Sequence, residues 1–354
     1  LNDALLTPPA GVPVITDTQP VDGLSYVDPD DPALPIYRLM AGFRSPLALR
    51  DMMIAPVRSG YVGDDDGAPG EAAPADAPGA PLPGDVAVPG VAVTEVFLPI
   101  DGGTARCQLY RPDQAPTGPL PLIVYFHGGG FMVGRSEDTD FVTRKLAATN
   151  GAVVLSANYR LAPEHPFPTP LDDAMGVYAW AAANAEQLGA DGTRIAVAGD
   201  SAGSNFAAAI PLRARDDGLR VPDAVVMLGA LADFRFERYA SYRAQAPRGI
   251  VYDTAFVGFL RGAYLPTTDW SHPWASPIEG DLRGYPRTIV ATGTHDPVID
   301  SARAFAAAIE AAGGTVDGYW PEGMPHGFYF FAGVVPEEAR AFEHVARALG
   351  ELFG

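Results

Sequence analysis

Five residues, Gly199-Asp200-Ser201-Ala202-Gly203, constrain this chain more than any others. The apolar run Arg194-Ile195-Ala196-Val197-Ala198 precedes them, and the small, helix-prone Asn205-Phe206-Ala207-Ala208-Ala209-Ile210 follows. A G-x-S-x-G turn between a strand and a helix is a sharp elbow that presents a serine hydroxyl at the end of a sheet. Its glycines are needed because the bend brings neighbouring backbones too close for a Cβ. In a chain with 39 glycines the motif alone also admits an inert serine on a tight turn. The choice between the two rests on whether the remaining parts of an acyl-transfer site occur elsewhere in the right order.

Upstream, Pro121-Leu122-Ile123-Val124-Tyr125-Phe126 reads as a buried strand ending in His127-Gly128-Gly129-Gly130-Phe131. A tetrahedral intermediate needs donors for its negative oxygen, and backbone N–H groups serve well because they are already oriented. In an H-G-G-G arrangement the loop supplies part of that oxyanion hole and the residue after the nucleophile, Ala202, supplies the rest. A phosphate loop is excluded because no G-K-[ST] follows the glycines.

A serine hydroxyl needs a histidine to take its proton and an acid to hold that histidine. The six histidines are His127, His165, His272, His295, His326 and His344. His326 lies in Gly323-Met324-Pro325-His326-Gly327-Phe328, directly after the strand-like Gly314–Trp320. Another buried strand, Thr288-Ile289-Val290-Ala291-Thr292-Gly293, is followed by Asp296-Pro297. Ser201, Asp296 and His326 therefore run in the Ser–acid–His order of α/β-hydrolases. Asp300 is the competing acid. His295 suits a rim or structural role, His344 a packed or solvated helix position, and His272 either an entrance or packing. No histidine pair has metal-ligand spacing and H-E-x-x-H is absent, so neither a metal nor another cofactor is expected.

With those residues in view, the chain resembles the bacterial hormone-sensitive-lipase-like esterases, which combine an H-G-G-G loop with a G-D-S-A-G elbow. Two more segments carry the likeness, Tyr159-Arg160-Leu161-Ala162-Pro163-Glu164-His165-Pro166-Phe167-Pro168 and the pairing of Asp296-Pro297 with His326-Gly327-Phe328. The resemblance covers roughly Glu95 to the C-terminus. It implies Ser201 as nucleophile, His326 as base, Asp296 as orienting acid, and N–H donors at Gly129, Gly130 and Ala202. It further implies supporting roles for His127, Gly128, Asp200 and Glu164, and a structural one for His165. One departure is Val298 after Asp296-Pro297, where the family usually has leucine; another is a longer N-terminal region.

The expected architecture is α/β: an α/β-hydrolase fold whose mostly parallel central sheet is flanked by helices and carries a helical cap. From Val91 onward the sequence alternates strand and helix patterns, which parallel strands joined by helices produce. Strands are expected at Val91–Pro99, Ala105–Arg111, Leu122–Phe126, Val153–Ala157, Ile195–Ala198, Val225–Leu228, Thr288–Thr292 and Thr315–Trp320. Residues 1–60 contain apolar helical patterns at Ile36–Phe43 and Leu47–Ile54, and the family places cap helices there. Residues 61–90, rich in Gly, Pro, Ala and Asp, read as a linker or loop. Residues 91–354 form the catalytic domain, interrupted at about 234–275 by an aromatic insertion where the family completes its cap. Those aromatics suit either a substrate pocket or ordinary packing.

A net charge of −19 argues against nucleic acid or an anionic membrane as partner. No apolar run is long enough for a membrane span. The lone Cys107 allows no intrachain disulfide and reads as a small core residue. A cytoplasmic location is expected, with a leader removed before residue 1 left open; a homo-oligomer is compatible with the sequence. The leading function is hydrolysis of small-molecule carboxylic esters through an acyl-enzyme, with short to medium acyl chains implied by the resemblance. The same triad in an amidase or acyltransferase is the alternative, and a non-catalytic ligand receptor on this fold is the remote one.

Overall fold

The computed structural model describes residues 3–15, 88–114, 118–246, 254–330 and 335–354. The expected helices at 36–43 and 47–54, and all of the expected linker except residues 88–90, lie outside the described residues.

Nine strands form one sheet among the described residues. In chain order they are β1 (Val14–Ile15), β2 (Val91–Ile100), β3 (Gly103–Pro112), β4 (Leu120–Phe126), β5 (Val153–Ala157), β6 (Ala190–Asp200), β7 (Ala224–Leu228), β8 (Arg287–Ala291) and β9 (Val316–Tyr319). β2 and β3 form an antiparallel hairpin, and β3 also runs antiparallel to β5. From β5 the order continues β4, β6, β7, β8, β9, and every pair in that stretch is parallel. The expected strands thus reappear with shifted ends. β6 starts several residues before Ile195 because a register shift between Leu120 and Leu122 lets Ala190 join the ladder against β4.

Parallel strands covered on both faces should be apolar on both, and β4 shows the result. Leu122, Val124 and Phe126 enter one core, while Ile123 and Tyr125 enter the other. The first core is closed by helices α2 (Thr169–Ala183) and α3 (Ala202–Asp216), and the second by α1 (Asp140–Asn150). The expected core position of Cys107 holds: it is fully buried in the first cluster.

Between β7 and β8 the alternation is interrupted by two further helices, α4 (Ala240–Gln245) and α5 (Thr254–Tyr264). α6 (Ile299–Ala311) then covers the first face and α7 (Pro336–Phe353) the second. At the N-terminus the structure adds something the helical reading of residues 1–60 did not contain. Val14 and Ile15 pair in parallel with Thr104 and Ala105, and the Thr104 N–H donates to the Pro13 carbonyl at 2.8 Å. Two residues carry no readable period, so only the neighbouring strand reveals them.

Candidate active site

β6 ends at Asp200, α3 begins at Ala202, and Ser201 sits between them with φ 50° and ψ −115°. A non-glycine residue held there costs on the order of 1–3 kcal/mol and persists only where its surroundings fix it. The fixing contacts are close. A Cβ on Gly203 would run into the Phe126 carbonyl, and one on Gly199 into the backbone of Gly203. The Ser201 N–H donates to the Leu228 carbonyl at the end of β7, 2.8 Å away.

His326, on the turn after β9, meets Ser201. Its Nε2 lies 2.9 Å from Ser201 Oγ, and its Nδ1 lies 2.7 Å from Asp296 Oδ2. A carboxylate only accepts, so Nδ1 carries the proton and Nε2 presents its lone pair to the hydroxyl. The other Asp296 oxygen, Oδ1, accepts the Val298 N–H at 3.0 Å. Asp296 is wholly buried, and His326 and Ser201 are only 6% and 9% exposed, so the whole line is shielded from bulk water.

β4 ends beside this line, and its continuation, residues 127–130, folds across the elbow. Asp200 Oδ1 accepts both the Gly128 N–H at 3.0 Å and the Tyr125 hydroxyl at 2.6 Å. The His127 Nδ1–H donates to the Gly128 carbonyl at 2.7 Å, and its ring stacks on Tyr159, whose hydroxyl donates to the His127 carbonyl at 2.7 Å. Gly129, at φ 110°, accepts the Met132 and Val133 N–H groups on its carbonyl, both at 3.1 Å. Among the described residues, the N–H groups of Gly129, Gly130 and Ala202 donate to no backbone carbonyl in the turns.

Burial controls the electrostatics of this scaffold. It drives the His127 imidazole down to about 4, against the pull of the Gly128 carbonyl, so that the ring is neutral. It drives Asp200 up to about 6, although the Tyr125 and Gly128 donors and the proximity of His326 oppose the rise.

Ser201, Asp296, His326, His127, Gly128, Gly129, Gly130, Asp200 and Ala202 therefore share one end of the sheet. Glu164 is half-buried in the segment 159–168, which is tied to this end through Tyr159, through the Ala162 N–H on the Phe131 carbonyl (2.9 Å) and through Phe167 against Tyr264. Asp300, the competing acid, accepts the Ser241 N–H at 2.8 Å and so joins α6 to α4. His272 packs edge-on against Phe167 and Trp274. His344 Nε2 meets the Asp317 carbonyl at 3.1 Å. Sequence reasoning assigned no role of their own to Tyr125, Tyr159 or Ser204. Tyrosine in or beside a buried strand was the available signal for the first two, since a buried hydroxyl normally requires a partner.

Comparison with known proteins gives the family to which this fold belongs. A family described as having the alpha/beta hydrolase fold matches residues 123–330. The chain is 38% identical over 231 residues to the carboxylesterase NlhH of Mycobacterium tuberculosis, covering 63% of this chain and 70% of that one. It is 44% identical over 116 residues to human hormone-sensitive lipase, covering 33% of this chain and 11% of the lipase. Among solved structures, the Pyrobaculum calidifontis esterase superposes with a TM-score of 0.70 at 34% identity, covering 74% of this chain and 85% of the esterase.

Proposed function

Because the chain belongs to the α/β-hydrolase family, in its hormone-sensitive-lipase-like esterase branch, and is a serine carboxylesterase, we propose that it cleaves esters with Ser201 as nucleophile, His326 as base and Asp296 as orienting acid. The observation that carries the assignment is the continuous line from Asp296 Oδ2 through His326 to Ser201 Oγ, at 2.7 and 2.9 Å.

The hydroxyl of Ser201 attacks the ester carbonyl carbon as His326 Nε2 removes its proton. Asp296 holds the Nδ1–H and stabilises the imidazolium that forms. The carbonyl oxygen becomes an oxyanion and receives the N–H groups of Gly129, Gly130 and Ala202; loss of one such donor typically costs about 3 kcal/mol of transition-state stabilisation. The intermediate collapses, and the alcohol departs with the proton from Nε2. Water then repeats the sequence on the acyl-enzyme and frees the acid. His127, Gly128 and Asp200 hold the glycine loop at the height of the elbow. Glu164 belongs to the neighbouring supporting loop.

We assign the aromatic segment at 234–275 to a cap that closes the substrate space. The supporting contact is local: a Cβ on Gly130 would lie 3.2 Å from Phe256, 3.4 Å from Met132 and 3.5 Å from Leu260. Two of these residues stand on α5, against a loop glycine assigned to the oxyanion hole. Bulk that close to the reacting carbonyl favours short to medium acyl chains over long ones.

The test is turnover of a panel of aryl and alkyl esters of graded acyl length by the wild type and Ser201→Ala. The variant is expected to lose at least about 10³-fold in kcat and to lose labelling by a phosphonate ester. Turnover near the wild-type level would remove the serine from its role.

A further inference from the structure

We propose that the turn Leu228–Leu231, directly after β7, is the template that fixes the reacting distance between nucleophile and base, with Ser204 and Gly229 as its positioning residues. The proposal rests on the triad reading above and adds what holds that triad in line.

Toward the nucleophile, the turn makes two connections. The Leu228 carbonyl accepts the Ser201 N–H at 2.8 Å. Ser204, wholly buried one turn into α3, donates its hydroxyl to the Ser201 carbonyl at 2.5 Å and accepts the Leu231 N–H at 3.0 Å. A hydroxyl has one proton and two lone pairs, so Ser204 joins an acceptor on one side to a donor on the other. Both main-chain polar groups of Ser201 are thereby tied to residues 228–231, one directly and one through Ser204.

Toward the acid, the Gly229 N–H donates to the Ala291 carbonyl at 2.8 Å, and the Ala230 N–H donates to Thr292 Oγ1 at 3.0 Å. Those acceptors lie at the end of β8, from which the chain continues to Asp296. Toward the base, Gly229 has φ +62°, and a Cβ there would lie 2.9 Å from both His326 Cε1 and the Tyr329 hydroxyl. The imidazole therefore rests flush against the α-carbon of residue 229. One short turn touches the nucleophile's backbone, the acid's strand and the base's ring.

Misplacing a reacting group by about 1 Å can cost about 10²-fold in rate, and a loss confined to the transition state lowers kcat and kcat/KM equally, leaving KM in place. The experiment compares Gly229→Ala, Ser204→Ala and Ser201→Ala with the wild type. Active sites of the wild type, Gly229→Ala and Ser204→Ala are titrated with a phosphonate ester, Ser201→Ala is referred to total folded protein, and kcat per site and KM are measured on one aryl acetate. Gly229→Ala is expected to lose about 10²-fold in kcat, and Ser204→Ala about 10-fold, each with KM within about twofold of wild type. Should Gly229→Ala fail to fold, Ser204→Ala decides alone. Wild-type kcat per titrated site, or a loss matched by an equal rise in KM, overturns the proposal. A fully active Ser201→Ala sinks the triad reading itself, whereas an inactive Ser201→Ala beside unaffected Ser204→Ala and Gly229→Ala sinks only the template.

Discussion

The end of the sheet and the segment inserted between β7 and β8 are held together by different forces. At the sheet end, Ser201, Asp296 and His326 lie on turns tied by main-chain hydrogen bonds to neighbouring strands and loops: Ser201 to Leu228, His295 to Met324, and Thr292 to Tyr319. In the insertion, α5 is seated by rings. Tyr264 stacks on Phe131 with centroids 3.8 Å apart, and Phe234 lies 5.7 Å from Phe131 and 5.8 Å from Tyr264. The buried guanidinium of Arg261 donates through Nε to the Phe234 carbonyl at 2.9 Å, pairs with Glu237, and lies 3.9 Å from the centre of the Trp270 ring. Main-chain ladders fix position to fractions of an ångström, whereas apolar rings accept volume-conserving exchange. The first region suits chemistry that must not vary, and the second a pocket that can.

Substitutions can break or sharpen that contrast. The largest effect is expected from Asp296→Asn, which leaves the shape intact but supplies the wrong partner for Nδ1–H. By analogy with other triads kcat should fall about 10⁴-fold, with little change in melting temperature. A loss under tenfold, measured by stopped-flow on an activated ester, would show that the acid does not hold the base.

Asp200→Asn probes the scaffold through stability. Burial raises the folded-state pKa of Asp200 to about 6 from 3.8, so the folded protein holds this proton more tightly than the unfolded chain. Stability from this group is present below the unfolded value and is lost as pH rises through about 6. The uncharged variant escapes that loss. Its melting temperature relative to wild type should be higher at pH 8 than at pH 4, by the equivalent of about 3 kcal/mol at most. An offset independent of pH would refute the buried-charge account.

Phe256→Ala tests the insertion. Opening the wall beside Gly130 should raise the kcat/KM ratio of octanoate to acetate esters about tenfold, a pocket-sized discrimination, while acetate turnover stays within about threefold. Equal losses on every chain length would place the ring in packing alone. The smallest change is expected from Arg261→Met, which removes the bond to Phe234 but keeps much of the stem. A destabilisation of about 1–2 kcal/mol in urea, at unchanged kcat, is the anticipated outcome.

The same contrast explains what could be read in the amino-acid sequence. The strands of the parallel region were legible because burial on both faces writes continuous apolar runs such as Leu122–Phe126. The elbow was legible because a bend that tight requires glycine at residues 199 and 203. Ser204 and Gly229 were not. Their contributions depend on which turn of chain arrives beside them, and neither residue differs locally from an ordinary helix serine or loop glycine. The inserted helices were announced only by an aromatic-rich composition between Asp233 and Arg287, since rings packed on several sides leave no single period to follow. Val14–Ile15 was too short to carry any pattern.

Phe131 closes the glycine loop at φ 63°, and its buried ring lies face to face with Tyr264 of α5. The residue that follows the proposed oxyanion glycines is thus also a floor tile for the inserted segment. A lineage adapting to a new ester by reshaping that helix would disturb this shared ring early. Selectivity and speed would be inherited as linked traits, and the first successful variants should be those that leave the Phe131–Tyr264 pair untouched.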